Sequence, residues 1–328
     1  MRRREFLRLL GGAGLVWPSA ALAATATAPR IGYLGVETPT AFETRLRAFR
    51  QGLSELGYEE GHNLGVEYRW AEGHNDRLPA LAADLVRADV SVIAAPGGIA
   101  AALAAKAATS KIPIVFEIGA DPVEAGLVSN LSRPSGNITG VSSLNTQIGP
   151  KRLELLHEIV STGTTFALVV DPTNPRNAVT SAQNFREAAR NLGVALEVLN
   201  VSTEADLEPL FARLAELKAS GLVINNDPYL SAHAKQLAEL TLRHSTPAAH
   251  QSRDFAVAGG LLSYGGSIAQ SHHQAGVLVG RILEGEKVAD LPVEQITKVE
   301  MTVNLKTAKI LGATIPLSLT GRADELIE

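Results

Sequence analysis

The residues able to do chemistry in this 328-residue chain gather just after short apolar runs. Pro96-Gly97-Gly98 precedes an alanine-rich stretch at 99–108. Free backbone N–H groups at the start of such a helix suit a carboxylate; the same residues also make a plain capping turn. Asn226-Asp227-Pro228 reads as a turn and helix cap, or as a carboxylate offered to a ligand ammonium. Asp171-Pro172-Thr173-Asn174-Pro175 is turn-like at Asp171, with Asn174 left as a contact. Tyr33, Phe116, Tyr229 and Tyr264 fall on or near run ends, where a ring either stacks on a flat ligand or joins the core. Catalytic sets are missing: there is no G-x-S-x-G, no G-x-x-x-x-G-K-[ST] and no H-E-x-x-H. His272-His273 is the single histidine pair, and helical neighbours diverge by about 100°, so it reads as exposed helix surface. Glu59-Glu60 reads as a solvated turn. Neither a catalytic residue, a metal site nor a cofactor is expected.

The elements that must position these residues alternate. Strand-like runs at 30–35, 65–70, 90–95 and 113–118 are interleaved with helical patterns through Leu46–Leu56, Leu78–Leu85 and 99–108. A second series has strands at 166–171, 194–199, 221–226 and 246–251, with helices at 150–160, 178–191, 207–217 and 230–243. Continuous apolar strands joined by helical crossovers predict α/β architecture with parallel sheets covered on both faces. The break at 132–143 divides the series into two similar Rossmann-like lobes. Ligands bind beyond the C-terminal ends of such strands, so facing lobes place the site in the cleft between them. Those ends supply Gly35, Glu37, Pro96, Gly97, Gly98, Gly119 and Asp121 from the first lobe. The second supplies Asn174, Asn226, Asp227, Tyr229 and Ser252.

Upstream, "RRREFLRLLGGAGLVWPSAALA" has a basic start, a short apolar middle and a small-x-small ending. This predicts a cleaved export signal at 1–23, and Arg3-Arg4-Glu5-Phe6-Leu7 matches the twin-arginine pattern. Its removal takes the formal charge from −4 to about −7, which argues against nucleic acid as a partner. With no cysteine in the chain, disulfides and a lipid-bearing Cys are excluded. The expected location is the periplasm, free of the membrane.

Three segments, "AAKAATSKIPIVF" (104–116), "ADPVEAGLVSNLSRPSGNITGVSS" (120–143) and "NLKTAKILGATIPLSLTGRADELIE" (304–328), resemble the ABC transporter substrate-binding proteins that include tryptophan- and other aromatic-amino-acid-binding members. The resemblance implies a type I periplasmic-binding-protein fold with a three-crossover hinge. It implies lobes at 30–143 plus 265–288 and at 144–264 plus 291–328, with hinge segments near 118–121, 142–145, 251–265 and 288–293. It also implies a small-molecule ligand, with an amino acid, aromatic or branched, as first candidate, and an inner-membrane ABC permease as partner of a monomeric, non-enzymatic receptor. Gly97 and Gly98 fall where relatives commonly carry Thr-Pro, so the assisting hydroxyl is absent here. Asp121 and Asn145 fall in or just after the first crossover, as contacts or hinge residues. Two other classes stand beside this one: a sensor of the same fold that reports to a membrane receptor, and an exported α/β enzyme.

Overall fold

A computed structural model describes residues 28–328 except 135. The export signal expected at 1–23 lies outside the described residues. The first lobe begins with β1 (Arg30–Gly35), α1 (Glu43–Ser54), β2 (Gly65–Trp70), α2 (Leu78–Arg87), β3 (Val92–Ala95), α3 (Ile99–Ala108), β4 (Ile114–Ile118) and β5 (Ile138–Ser142). β1 from Ile31 onward, β3, β4 and β5 are buried along their length, as strands covered on both faces must be.

The chain then enters the second lobe through α4 (Gly149–Ile159), β6 (Thr165–Val170), α5 (Pro175–Leu192), β7 (Ala195–Asn200), α6 (Leu207–Glu216) and β8 (Gly221–Ile224). The lobe continues with α7 (Pro228–Ala232), α8 (Ala234–Arg243), β9 (Ala248–His250), α9 (Arg253–Val257) and β10 (Leu262–Gly266). Next, α10 (Ile268–Leu283) and β11 (Glu294–Gln295) return to the first lobe. The chain closes in the second with β12 (Val299–Asn304), α11 (Leu305–Ile310), α12 (Leu317–Thr320) and β13 (Glu325–Ile327).

The sheet orders are β11-β5-β4-β3-β1-β2 and β13-β12-β10-β9-β8-β6-β7. Every pairing is parallel except β10 with β12, which is antiparallel. Separate apolar cores cover the faces of each sheet. α1 turns Leu46, Phe49, Gly52 and Leu53 inward and lies tightly along α10. A side chain at Gly52 would strike the His273 carbonyl, and one at Gly276 the Phe49 carbonyl. Glycine at both positions lets the two backbones touch.

Three boundaries differ from the sequence expectation. The segment taken as a break contains β5, whose apolar signal is diluted by Thr139, Gly140 and Ser142. Those hydroxyls are satisfied by backbone, Thr139 on Leu291 O at 2.9 Å and Ser142 on Ala120 O at 2.8 Å. Gly265 and Gly266 belong to β10 of the second sheet, so the passage into the first lobe follows 266 rather than 264. Residues 294–295 pair with β5 in the first sheet, and the last crossing lies between 296 and 298, beyond the expected 288–293. A two-residue edge strand has too little periodicity to be legible.

Candidate functional site

Closed lobes bring the two sets of strand ends together. Arg176 donates to Ala125 O at 3.0 Å, Asn75 to Thr173 Oγ1 at 3.4 Å, and Pro228 lies against Gly98. Between them sits a cavity of about 50 Å3. Pro96, Gly97, Gly98, Gly119, Asn145, Asn174 and Asn226 line it, seven of the residues expected from the strand ends or the crossover.

α3 points its start at this cavity. Gly98 is its N-cap at φ 91°, a left-handed conformation that favours glycine. The Gly98 N–H is already committed to Glu117 O at 3.1 Å, and the first helical bond runs from Ala102 N to Gly98 O. The N–H groups of Ile99, Ala100 and Ala101 therefore have no partner among the described residues. Such donors and the helix dipole suit an anion. Gly119 stands opposite Asn226 so closely that a Cβ would collide with the carboxamide.

The remaining expected residues do not line the cavity. Gly35 packs against Trp70 within the core. Glu37 is buried and accepts no hydrogen bond among the described residues. Asp227 is buried as the N-cap of α7: Oδ1 accepts from Tyr229 N at 2.8 Å, and Oδ2 from Asn174 Nδ2 at 3.0 Å. Asp121 caps the turn at Val123 and Glu124 and lines a flanking pocket. Ser252 caps α9 and lines a chamber of about 270 Å3 that shares Arg45, Ser231, Gln251 and Ile268 with the central cavity. Of the aromatic candidates, Tyr33 and Phe116 are core, Tyr229 leans on His233 at 4.2 Å, and Tyr264 packs against the second core. None of the four lines the cavity.

His272 corrects the sequence reading. It is buried, not exposed; Nδ1 lies 2.9 Å from Ile268 O and Nε2 3.0 Å from Pro96 O, and the ring forms part of the cavity wall. Only His273 behaves as a surface residue, reaching Glu55 at 2.8 Å. The pair diverges as helical geometry requires, but α10 is covered on the side that holds His272.

Arg45, Glu117, Asn177 and Ser231 also line the cavity and were not singled out from sequence. Glu117 did carry a signal, as a lone acid within the apolar run "PIVFEI". Arg45 carried none, because α1 was read from its apolar positions alone.

Charge in this cleft is expensive. Burial, then the Asp227 charge, pushes the Glu37 pKa up to about 7 against the pull of Arg45. Burial, then Asp171, raises Asp227 to about 7 against its hydrogen bonds from Asn174 and backbone. Glu117 rises to about 7 by burial, held back by the Ser271 hydroxyl at 3.0 Å. Burial and then Arg45 push His272 down to about 3, outweighing its two carbonyl contacts. Among the described residues, no group of three or more His, Asp or Glu side chains is placed to hold a metal.

Two α/β lobes joined by three crossings, with polar strand ends converging on the gap, define a type I periplasmic-binding-protein fold. The sequence profile of the ABC transporter substrate binding protein family matches residues 35–327, and the chain belongs to that family. It is 25% identical over 276 residues to a tyrosine-binding protein of Clostridioides difficile strain R20291, covering 84% of this chain and 78% of that one. A crystal structure of a conserved domain protein from Vibrio cholerae O1 biovar El Tor strain N16961 superposes with a TM-score of 0.82 at 26% identity, covering 91% of this chain and 99% of the other. A Streptococcus pneumonia ABC domain in complex with L-Trp superposes at 0.80 with 23% identity and the same coverage.

Proposed function

We propose that the protein is a periplasmic receptor that binds a free α-amino acid between its lobes and presents it to an inner-membrane ABC permease, without performing chemistry on it. The observation that carries this reading is that α3's unpaired N–H groups open on the inter-lobe cavity, with the acid Glu117 in its wall and the mutually repelling acids Glu37 and Asp227 buried on opposite lobes nearby. A carboxylate meets the helix start, and an ammonium meets the acids. The relatives that bind tyrosine and L-Trp support the same ligand class. Only the closed form offers both anchors, so ligand shifts the population toward closure by its differential affinity. The monomer reaches the periplasm by the twin-arginine route, and the lack of cysteine leaves it without a lipid anchor.

A thermal-shift screen tests this. An amino acid at about 100 times its Kd adds about 2.7 kcal/mol of stability, a rise of a few degrees for a chain this long. Stabilisation by sugars or nucleobases alone would overturn the ligand class.

A further inference from the structure

Arg45 forms no ion pair and no hydrogen bond among the described residues; its guanidinium lies 4.4 Å from the Phe42 ring centroid. It stands where the central cavity opens into the chamber of about 270 Å3, as a wall of both. Beside it, Gln251 is buried and donates from Nε2 to Ser231 Oγ at 2.9 Å, while its Oε1 has no partner. The junction therefore presents a cation without a contact counter-charge, next to a carbonyl oxygen that needs a donor such as a ligand N–H or O–H.

A half-buried cation without a contact partner favours an anion close by. The acids that act on Arg45 are Glu117, Glu37 and Asp254, none of them within ion-pair distance. Glu117 is held by Ser271 and flanked by His272, and Asp254 is exposed on α9. Burial raises Glu37 and Glu117 to about 7, and neither forms an ion pair with Arg45. No Phe, Tyr or Trp lines the cavity or the chamber, so an aromatic group finds no such ring to stack on. Thr44, Ser252, Ser263 and Ser267 in the chamber wall offer hydroxyls suited to a carboxylate; the wall also holds Asp254, Arg253 paired with Glu325, and Glu300 paired with Lys298, which leaves Arg45 as its unpaired cation among the described residues.

We infer that the ligand carries a second acidic group, which pairs with Arg45 at the junction of cavity and chamber, making acidic amino acids the substrate class. The inference rests on the amino-acid reading of the same cleft, with the α-carboxylate at α3 and the side-chain carboxylate at Arg45.

Calorimetric titration of the purified protein with L-glutamate, L-aspartate, L-glutamine, glutarate and L-tyrosine, repeated on Arg45→Gln and Arg45→Lys, tests it. Expected is a preference for glutamate or aspartate over glutamine of more than about tenfold, the size a buried charge pair supplies. Arg45→Gln should abolish the preference while still binding glutamine, and Arg45→Lys should retain part of it. Circular dichroism melts confirm that both variants fold. Glutarate binding that depends on Arg45, with no gain from an amino group, would keep the second acid and overturn the amino-acid reading. Tyrosine or glutamine binding tighter than glutamate, or an unchanged preference in Arg45→Gln, would overturn the second acid and leave the amino-acid reading standing. No binding by any of the five overturns both.

Discussion

The Asn145 carboxamide is paired with the backbone of Gly266 at both ends: Oδ1 accepts from Gly266 N at 2.8 Å, and Nδ2 donates to Gly266 O at 3.3 Å. Asn145 follows the first crossing between lobes, and Gly266 ends β10 where the second begins. Arg152 fastens the same place, giving Nε to Tyr264 O at 2.7 Å and Nη2 to Asn145 O at 2.9 Å. Two hinge strands are thus tied into one unit. Asn145→Leu leaves the buried Gly266 N–H and C=O without these partners, costing about 1–3 kcal/mol. Urea unfolding should show that loss, and small-angle scattering should show a wider spread of lobe separations.

Gly119 tests closure separately from stability. A methyl there meets Asn226 of the second lobe, a contact made only when the lobes shut. Gly119→Ala should lower ligand affinity by about tenfold or more, the effect of disfavouring the competent state by about 1.4 kcal/mol. Its melting temperature without ligand should stay near that of the parent.

The acids of the cleft make stability depend on pH, with a sign that follows from their shifts. Glu37 rises from an unfolded value near 4.5 to about 7, so the folded protein holds more protons between those values. Its contribution is full below the lower value and is lost as pH rises toward 7. Buried His272 acts oppositely, since its folded pKa of about 3 lies below 6.5, and its contribution grows as pH rises through that window. His250, pushed well below its usual value by burial and then by Arg152, adds to it. The total slope is therefore a poor probe, whereas the difference between the parent and Glu37→Gln isolates one group. The variant should become more stable relative to the parent as pH rises from 4.5 to 7, measured by urea unfolding at stepped pH. A difference independent of pH would contradict the assignment.

The α1–α10 contact should be the least forgiving part of the first lobe. Gly276→Val forces a branched side chain against the Phe49 carbonyl. Overpacking of this kind costs about 1–3 kcal/mol, and the loss should be visible in thermal melts without affecting ligand preference.

Most of the fold was legible because burial on both faces writes strands such as "VIAA" and "FALVV" as unbroken apolar runs, and α6 repeats Leu207, Leu210, Phe211 and Leu214 at helical spacing. β5 escaped because its polar side chains are satisfied by backbone partners distant in sequence, and β11 because two residues carry no period. The cavity wall was legible where it is backbone at strand ends, as at Pro96-Gly97-Gly98 and Gly119. Arg45 and His272 were not, because their placement depends on how α1 and α10 pack, which spacing along the chain does not encode.

On this reading the cleft holds an α-amino acid by its carboxylate at α3 and by its ammonium at the buried acids. The most direct measurement is isothermal titration calorimetry of the purified protein with each L-amino acid that binds, set beside its decarboxylated and deaminated analogues. One-to-one binding that falls by about tenfold or more on removal of either the α-carboxylate or the α-ammonium group is the predicted result. Analogues that bind as tightly as the parent amino acid would contradict it.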